Sequence, residues 1–132
     1  MSFTTEIKLS NKKAKDKIDR TRRIVIIKLF SAVILDTPVL TGRLRGNWQT
    51  TVGFPAIGEL ARTSKTATLN QVEKVAGKSS VTDTVMMQNN LPYAYRIEYD
   101  GWSSVKAPQG MVRRNVTRFK QLVEEAIQEG RL

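Results

Sequence analysis

Apolar residues in the first third of the chain recur at the spacing of an α-helix. Between residues 11 and 36 they repeat every three, four or seven positions, and Ser10 or Asn11 is suited to cap the start of the helix. From Ile24 to Leu35 nearly every position is apolar, which predicts a segment that lies deep against a sheet or another subunit. Pro38 disfavours helical geometry in the residue before it, so the helix should end there.

The middle of the chain carries two segments with the pattern of β-strands. Residues 44–52 alternate between apolar and polar side chains, as a half-exposed strand does, and residues 81–88 form a second strand-like segment. Between them, residues 53–65 are interrupted by glycine and proline and are predicted to be a mobile loop. Residues 68–76 fit a short helix, with Gly77 in the C′ position.

The segment after Pro92 is open to two interpretations on local pattern alone. Pro92 is suited to start a short helical turn over residues 95–99, closed by Gly101. Tyrosine and isoleucine also favour β structure, so a third strand is the alternative. From residue 111 to 128 the apolar positions form a clear helical stripe, and Gly130 follows as a stop signal.

Together these elements predict one α+β domain over residues 1–132. It has a long N-terminal helix, a small antiparallel sheet, short helices and a C-terminal helix. Residues 1–10 are expected to form a flexible, loose or extended arm. A chain of 132 residues fits one domain with a single core. The N-terminus lacks the apolar stretch of a signal peptide, and the apolar region from Ile24 to Leu35 is shorter than the roughly 20 residues that a membrane span needs.

Cysteine and histidine are both absent from the chain. Their absence excludes disulfides, zinc sites built on thiolate or imidazole, and catalysis by Ser–His–Asp or Cys–His groups. The net charge is +10, and residues 1–23 hold eight of the 22 basic residues. Such a basic segment indicates contact with phosphate, contact with an acidic protein partner, or simply a solvated helix start.

Glu98 and Asp100 are the only neighbouring carboxylates in the aromatic segment that follows residue 90. A metal or acid/base pair would need them to converge on one face, and no third ligand is close in sequence. A structural role is favoured instead, with Glu98 pairing with Arg96 or Arg113 or capping a turn. We therefore predict no catalytic, cofactor-binding or metal-binding residue, no cofactor and no enzymatic activity.

The aromatic residues allow two interpretations as a group. Interleaved with arginine, they could stack on the bases of single-stranded nucleic acid. The favoured interpretation places them in the core or at a subunit interface, with their polar tips reaching a partner. The residues in question are Trp48, Tyr93, Tyr95, Tyr99 and Trp102.

Three blocks of sequence occur in a fixed order: residues 37–48 (TPVLTGRLRGNW), 89–103 (NNLPYAYRIEYDGWS) and 106–113 (KAPQGMVR). Preceded by a basic helix, this order resembles the head–tail joining and tail-completion proteins of long-tailed bacteriophages and their prophages. The resemblance implies a structural virion protein of the neck, made in the host cytoplasm, that forms a ring of six subunits around the DNA channel. It also favours the helical interpretation of residues 95–99.

The partners implied by this resemblance are further copies of the chain, the neighbouring connector and the tail terminator or tail tube. Genomic DNA would pass through the lumen and be contacted without sequence specificity, and no membrane partner is expected. The loop over residues 53–65 and the N-terminal arm would become ordered on assembly. The alternatives are a small basic nucleic-acid-binding protein without sequence specificity and, more remotely, a metal-dependent nuclease using Glu98 and Asp100.

Overall fold

The computed structural model of the chain describes residues 3–99 and 110–130, and the side chains of residues 11–99 and 110–129. Within these ranges the fold is α+β, as predicted. The elements in chain order are α1 Phe3–Asp36, α2 Arg43–Gly46, β1 Trp48–Val52, α3 Lys65–Gly77, β2 Val85–Asn89, α4 Ala94–Tyr99, α5 Val112–Thr117 and α6 Phe119–Gly130.

Helix α1 starts earlier than its sequence pattern predicts. It begins at Phe3, so the prediction of a loose or extended arm over residues 1–10 and of a cap at Ser10 or Asn11 is wrong for the described residues. Residues 3–10 contain no glycine or proline, and extending an existing helix costs less than nucleating a new one. The end of the helix at Asp36 is confirmed. There the hydroxyl of Thr37 donates to the carbonyl oxygen of Val33 at 2.7 Å.

The core forms where the last turns of α1 meet the other elements. Val33 and Ile34 are buried there together with Trp48, Val72 and Met111. Helix α1 packs against α3, α5 and α6. Within the chain, residues 24–32 are half-buried and Leu35 is exposed, so only part of Ile24–Leu35 lies deep in its own fold. The alternative that another subunit covers this segment stays a prediction.

The sheet has two antiparallel strands among the described residues, with Trp48 of β1 opposite Asn89 of β2 and Val52 opposite Val85. Both strands are shorter than predicted. Residues 43–46 form the helical turn α2 instead of the start of a strand. The strand prediction was wrong there because the spacing of four between Leu44 and Trp48 fits a helix as well as a strand. Residues 81–84 form part of the turn that leads into β2.

The irregular segment and the helix predicted between the strands are confirmed with one correction, while the mobility of residues 53–65 stays a prediction. Residues 53–64 are irregular, and Ser64 caps α3 by accepting from the backbone N–H of Ala67. Gly77 is the last residue of α3 rather than its C′ cap, and Lys78 takes the C-cap position with an ordinary negative φ. The helical interpretation of residues 95–99 is confirmed by α4.

The predicted helix over residues 111–128 is divided in two at Arg118. Side chains of the first part bond to backbone carbonyls of their own turn, and such bonds compete with the helical ladder. The Asn115 amide donates to the Met111 carbonyl oxygen at 2.7 Å, and the Thr117 hydroxyl donates to that of Arg113. The backbone N–H of Arg118 then bonds to the carbonyl of Asn115, three residues earlier, so the ladder changes register before α6 begins.

Candidate subunit-docking surfaces

Glu98 joins the second and third sequence blocks. It lies near the end of α4, is buried, and points at the start of α5. Its carboxylate accepts from the backbone N–H groups of Met111, Val112 and Arg113, and also from the Arg113 guanidinium at 3.3 Å. The predicted pairing of Glu98 with Arg113 and its capping role are confirmed. Asp100, the other carboxylate considered there, lies outside the described residues.

The charge of Glu98 is stabilised in place. Burial raises the pKa of this carboxyl, but the hydrogen bonds from the backbone of Arg113, Val112 and Met111 and from the Arg113 side chain outweigh burial and leave the pKa below its ordinary value. Both carboxylate oxygens are already used as acceptors. Among the described residues no group of three or more acidic side chains is arranged to hold a metal ion.

Gly110 makes the close approach of these two blocks possible. Its φ is +82°, in the left-handed region, and a Cβ at this position would lie 2.7 Å from a carboxylate oxygen of Glu98. Only glycine combines that backbone conformation with that lack of space. The glycine of the KAPQGMVR block is thus required by the fold, because it allows α5 to approach Glu98.

The first and second blocks are also joined by hydrogen bonds. The Asn89 amide donates to the carbonyl oxygen of Leu44 at 2.8 Å, and the indole N–H of Trp48 donates to the Thr37 hydroxyl at 2.8 Å. The described residues of the three blocks that carry the phage resemblance are therefore in contact with one another. Together with β1 they are called here the frame of the domain. The candidate interaction surfaces are the exposed apolar side chains, the open groove and the sheet edge that lie outside these contacts.

One such feature is the loop after β1, residues 53–60, called here the Phe54 loop. Its backbone is held by amide side chains from the frame. Buried Asn47 both donates to and accepts from the backbone of Leu60. Gln49 and Asn90 donate to the carbonyl oxygen of Gly58 at 2.9 and 3.0 Å. The loop turns at Gly53 and Gly58, which both have positive φ.

The same loop holds large apolar side chains in solvent. Phe54 is 80% exposed and Ile57 is 94% exposed. Fixed backbone and exposed apolar side chains together are typical of a binding surface, because little ordering cost remains when a partner covers them. Sequence reasoning identified this loop but not its surface, since two apolar residues in an irregular segment carry no sign of which way they point.

A second feature is an open apolar groove between α1 and α6, with a volume of about 420 Å³. Polar groups contribute little to its walls. The apolar residues that line it are Ile18, Val25, Ile26 and Leu29 of α1, and Phe119 and Val123 of α6. The groove continues the apolar stripe of α1 beyond the core, which explains why the Ile24–Leu35 segment is more apolar than its burial requires.

The two edges of the sheet differ. Along β1 the outward backbone groups are bonded by side chains, since Arg62 donates to the carbonyl oxygen of Trp48 and Gln71 accepts from the N–H of Thr50. Burial lowers the pKa of Arg62. Along β2 the backbone N–H and C=O groups of Val85, Met87 and Asn89 point away from β1. No described residue forms a hydrogen bond with these groups. Among the described residues, one edge is therefore closed by side chains and the other is left open to pairing.

The aromatic residues do not form one platform. Trp48 belongs to the core, as favoured, and Tyr93 is half-buried beside it. Tyr95 and Tyr99 are exposed, with ring centroids 4.8 Å apart, and the Arg113 guanidinium lies 5.0 Å from the Tyr99 ring. The prediction of core or interface positions is confirmed for Trp48, while Trp102 lies outside the described residues.

The basic residues of α1 divide into two kinds. Arg22 and Arg23 bond to the turn before β2, where they donate to the Ser79 hydroxyl and carbonyl oxygens at 3.0 and 2.8 Å. Asp19 accepts from the backbone N–H of Val81 at 2.8 Å. Four lysines that precede them are exposed, at positions 12, 13, 15 and 17. The sequence analysis counted all these basic residues together, because charge alone does not show which of them form hydrogen bonds within the fold.

No family model matches the chain, and no curated protein or solved structure is significantly similar to it. Within the described stretches, 3–99 and 110–130, no helix has the length and apolar character needed to cross a bilayer. The surfaces are therefore interpreted from their own geometry and from the resemblance of the three sequence blocks.

Proposed function

We propose that the chain is a non-enzymatic virion protein of the phage neck, a ring subunit that joins the head connector to the tail around the DNA channel. The Phe54 loop is the observation that carries this proposal. Its backbone is bonded to the frame while Phe54 and Ile57 stand in solvent. Such a surface serves docking, because binding can gain the burial of both side chains without first ordering the loop.

The α1–α6 groove adds the second half of a head-to-tail contact. A closed ring needs two different complementary surfaces on each subunit, so that one copy's first surface meets the next copy's second. The Phe54 loop presents exposed apolar side chains, and the groove is an open apolar depression. The open edge of β2 offers a further place for a neighbouring polypeptide to pair.

The energy available from the loop is large enough to matter for assembly. Burying a Phe or an Ile side chain contributes about 1.5–3 kcal/mol each relative to exposure. Covering Phe54 and Ile57 therefore contributes about 3–6 kcal/mol at each contact. Losing it weakens one contact by roughly 10²–10⁴-fold.

The test uses complementation of a phage or prophage that lacks the coding sequence. A Phe54→Ser/Ile57→Ser variant should leave heads and tails unjoined in electron micrographs, although the purified variant keeps its helix content. Val81→Ser, which removes an exposed apolar side chain outside the loop, should restore joined particles. Normal joining by the double variant would refute the role given to this loop.

The rival function is a small basic nucleic-acid-binding protein with no place in the virion. The exposed lysines of α1 are the observation that favours it. The two functions differ in where the protein ends up. Purified virions should contain the chain in a fixed ratio to the tail tube if it is a neck subunit, and should lack it if it is only a nucleic-acid-binding protein.

A further inference from the structure

Helix α1 is too long to be covered by the rest of the domain. Its 34 residues span about 51 Å at about 1.5 Å per residue. A compact chain of 132 residues has a radius of gyration of about 14 Å and so a diameter of about 36 Å. One end of α1 must therefore project. All residues from 11 to 18 are exposed, so the projecting end is the N-terminal one.

The projecting part has a defined base. At Asp19, Arg22 and Arg23 the helix is bonded to the turn that precedes β2, through Val81 and Ser79. Asp19 and Thr21 are also the first buried side chains of α1 among those described. The bonds fix the direction in which residues 11–17, called here the lysine arm, leave the body.

The lysine arm carries four lysines and a single acidic residue, Asp16. None of these lysine side chains forms a hydrogen bond or ion pair with another described residue. At about 100° per residue, Lys13, Lys15 and Lys17 lie at about 100°, 300° and 140° around the helix from Lys12. The lysines thus spread over about 200° of the helix circumference, with Lys15 on the side roughly opposite Lys13 and Lys17.

We propose that the lysine arm binds the phosphate backbone of double-stranded DNA without regard to base sequence. A flat protein surface would cover one side of the helix and leave the opposite lysines in water. The major groove is about 12 Å wide, admits an α-helix, and has phosphates along both of its walls. A polyanion that flanks the helix on two sides matches the distribution of charge.

The arm lacks the chemistry that reads bases. Its charges are lysines, which act as flexible point charges, and Asn11 is its only amide side chain. DNA also offsets a cost of assembly, because identical subunits with a net charge of +10 repel one another. The inference rests on the proposed neck function for where the DNA is met, but the binding is a property of the isolated chain.

The experiment compares two variants that lose the same charge. The first replaces Lys12, Lys13, Lys15 and Lys17 by Gln, and the control replaces four exposed lysines elsewhere by Gln. The control positions are Lys65, Lys74, Lys78 and Lys120. Lysine and glutamine have similar helix propensity, so circular dichroism should show equal helix content in both variants.

Binding to short DNA duplexes is measured by fluorescence anisotropy between about 50 and 200 mM salt. The slope of log K against log salt should become shallower by about 3–4 in the arm variant, since each phosphate contact contributes about 0.9. The control should keep the wild-type slope to within about 1. Duplexes of shuffled sequence should bind wild type equally well.

Three results would overturn the inference: equal loss of slope in both variants, an unchanged slope in the arm variant, or strong preference for one duplex sequence. If the arm variant keeps its DNA slope but fails to join heads to tails, the arm binds an acidic protein instead. Failure of the neck proposal is a separate result. It would appear as virions that lack the chain, whatever the DNA slope.

Discussion

Replacing Glu98 by Gln tests whether this carboxylate holds α4 and α5 together. The change keeps the size of the side chain but removes its charge and turns one acceptor oxygen into an N–H₂ donor. In the wild type three backbone N–H groups and the Arg113 guanidinium all donate to the carboxylate. The N–H₂ group of the introduced amide cannot accept a hydrogen bond, so at least one of these N–H donors loses its acceptor.

The expected loss follows from two contributions. An unsatisfied buried N–H costs about 1–3 kcal/mol. Losing the negative charge beside the first turn of α5 and beside Arg113 costs about 1–2 kcal/mol. The free energy of unfolding should fall by about 2–5 kcal/mol, which lowers the Tm by roughly 7–18 °C for a chain of this size.

The assay is thermal unfolding followed by circular dichroism, with Glu124→Gln as the matched control. Glu124 lies exposed on α6, so its replacement should change stability by less than about 0.5 kcal/mol. The folded pKa of Glu98 is lower than its unfolded value, so its contribution is present above the unfolded pKa and is lost as the pH falls through the folded pKa. The gap between wild type and Glu98→Gln should therefore begin to narrow below about pH 4.5 and close only once the pH is below the folded pKa. A loss under about 1 kcal/mol near neutral pH, or a gap that is unchanged in acid, would refute the reasoning.

Three further predictions follow from the packing of the frame. Gly46→Ala should lower the free energy of unfolding by more than about 3 kcal/mol, because a Cβ there would lie 2.0 Å from the Arg62 carbonyl oxygen. Gly53→Ala, where a Cβ would enter open space, should lower it by only about 1 kcal/mol, and urea unfolding would measure both. A double-mutant cycle of Trp48→Phe and Thr37→Val should give a coupling of about 1 kcal/mol, and none would contradict their hydrogen bond. Phe54→Ser/Ile57→Ser should leave the Tm within about 2 °C of wild type, and a larger drop would mean that the loop serves folding instead of docking.

Sequence patterning predicted the elements where a local signal had one physical meaning. Pro38 ends α1 because its ring restricts the residue before it. The structural role favoured for Glu98 is also confirmed, but the sequence left its partner open between Arg96 and Arg113. Residues 43–46 were mistaken for strand because a spacing of four between Leu44 and Trp48 suits both periodicities. The change of period was not visible in the sequence.

The candidate surfaces could be predicted only in part. The basic start of α1 and the irregular segment at residues 53–65 were visible as composition. Nothing in the sequence shows that Phe54 points outward, because that depends on amides that hold the loop from other elements. The α1–α6 groove depends on the packing of residues about a hundred positions apart, and the closed edge of β1 depends on Arg62 reaching back to Trp48. Such features follow from tertiary packing, which local periodicity does not encode.

Electron microscopy of a phage lysate made without this coding sequence tests the central claim most directly. The account predicts DNA-filled heads and complete tails lying separate, with infectivity restored when the intact chain is supplied. Joined, infectious particles at the normal yield would contradict it.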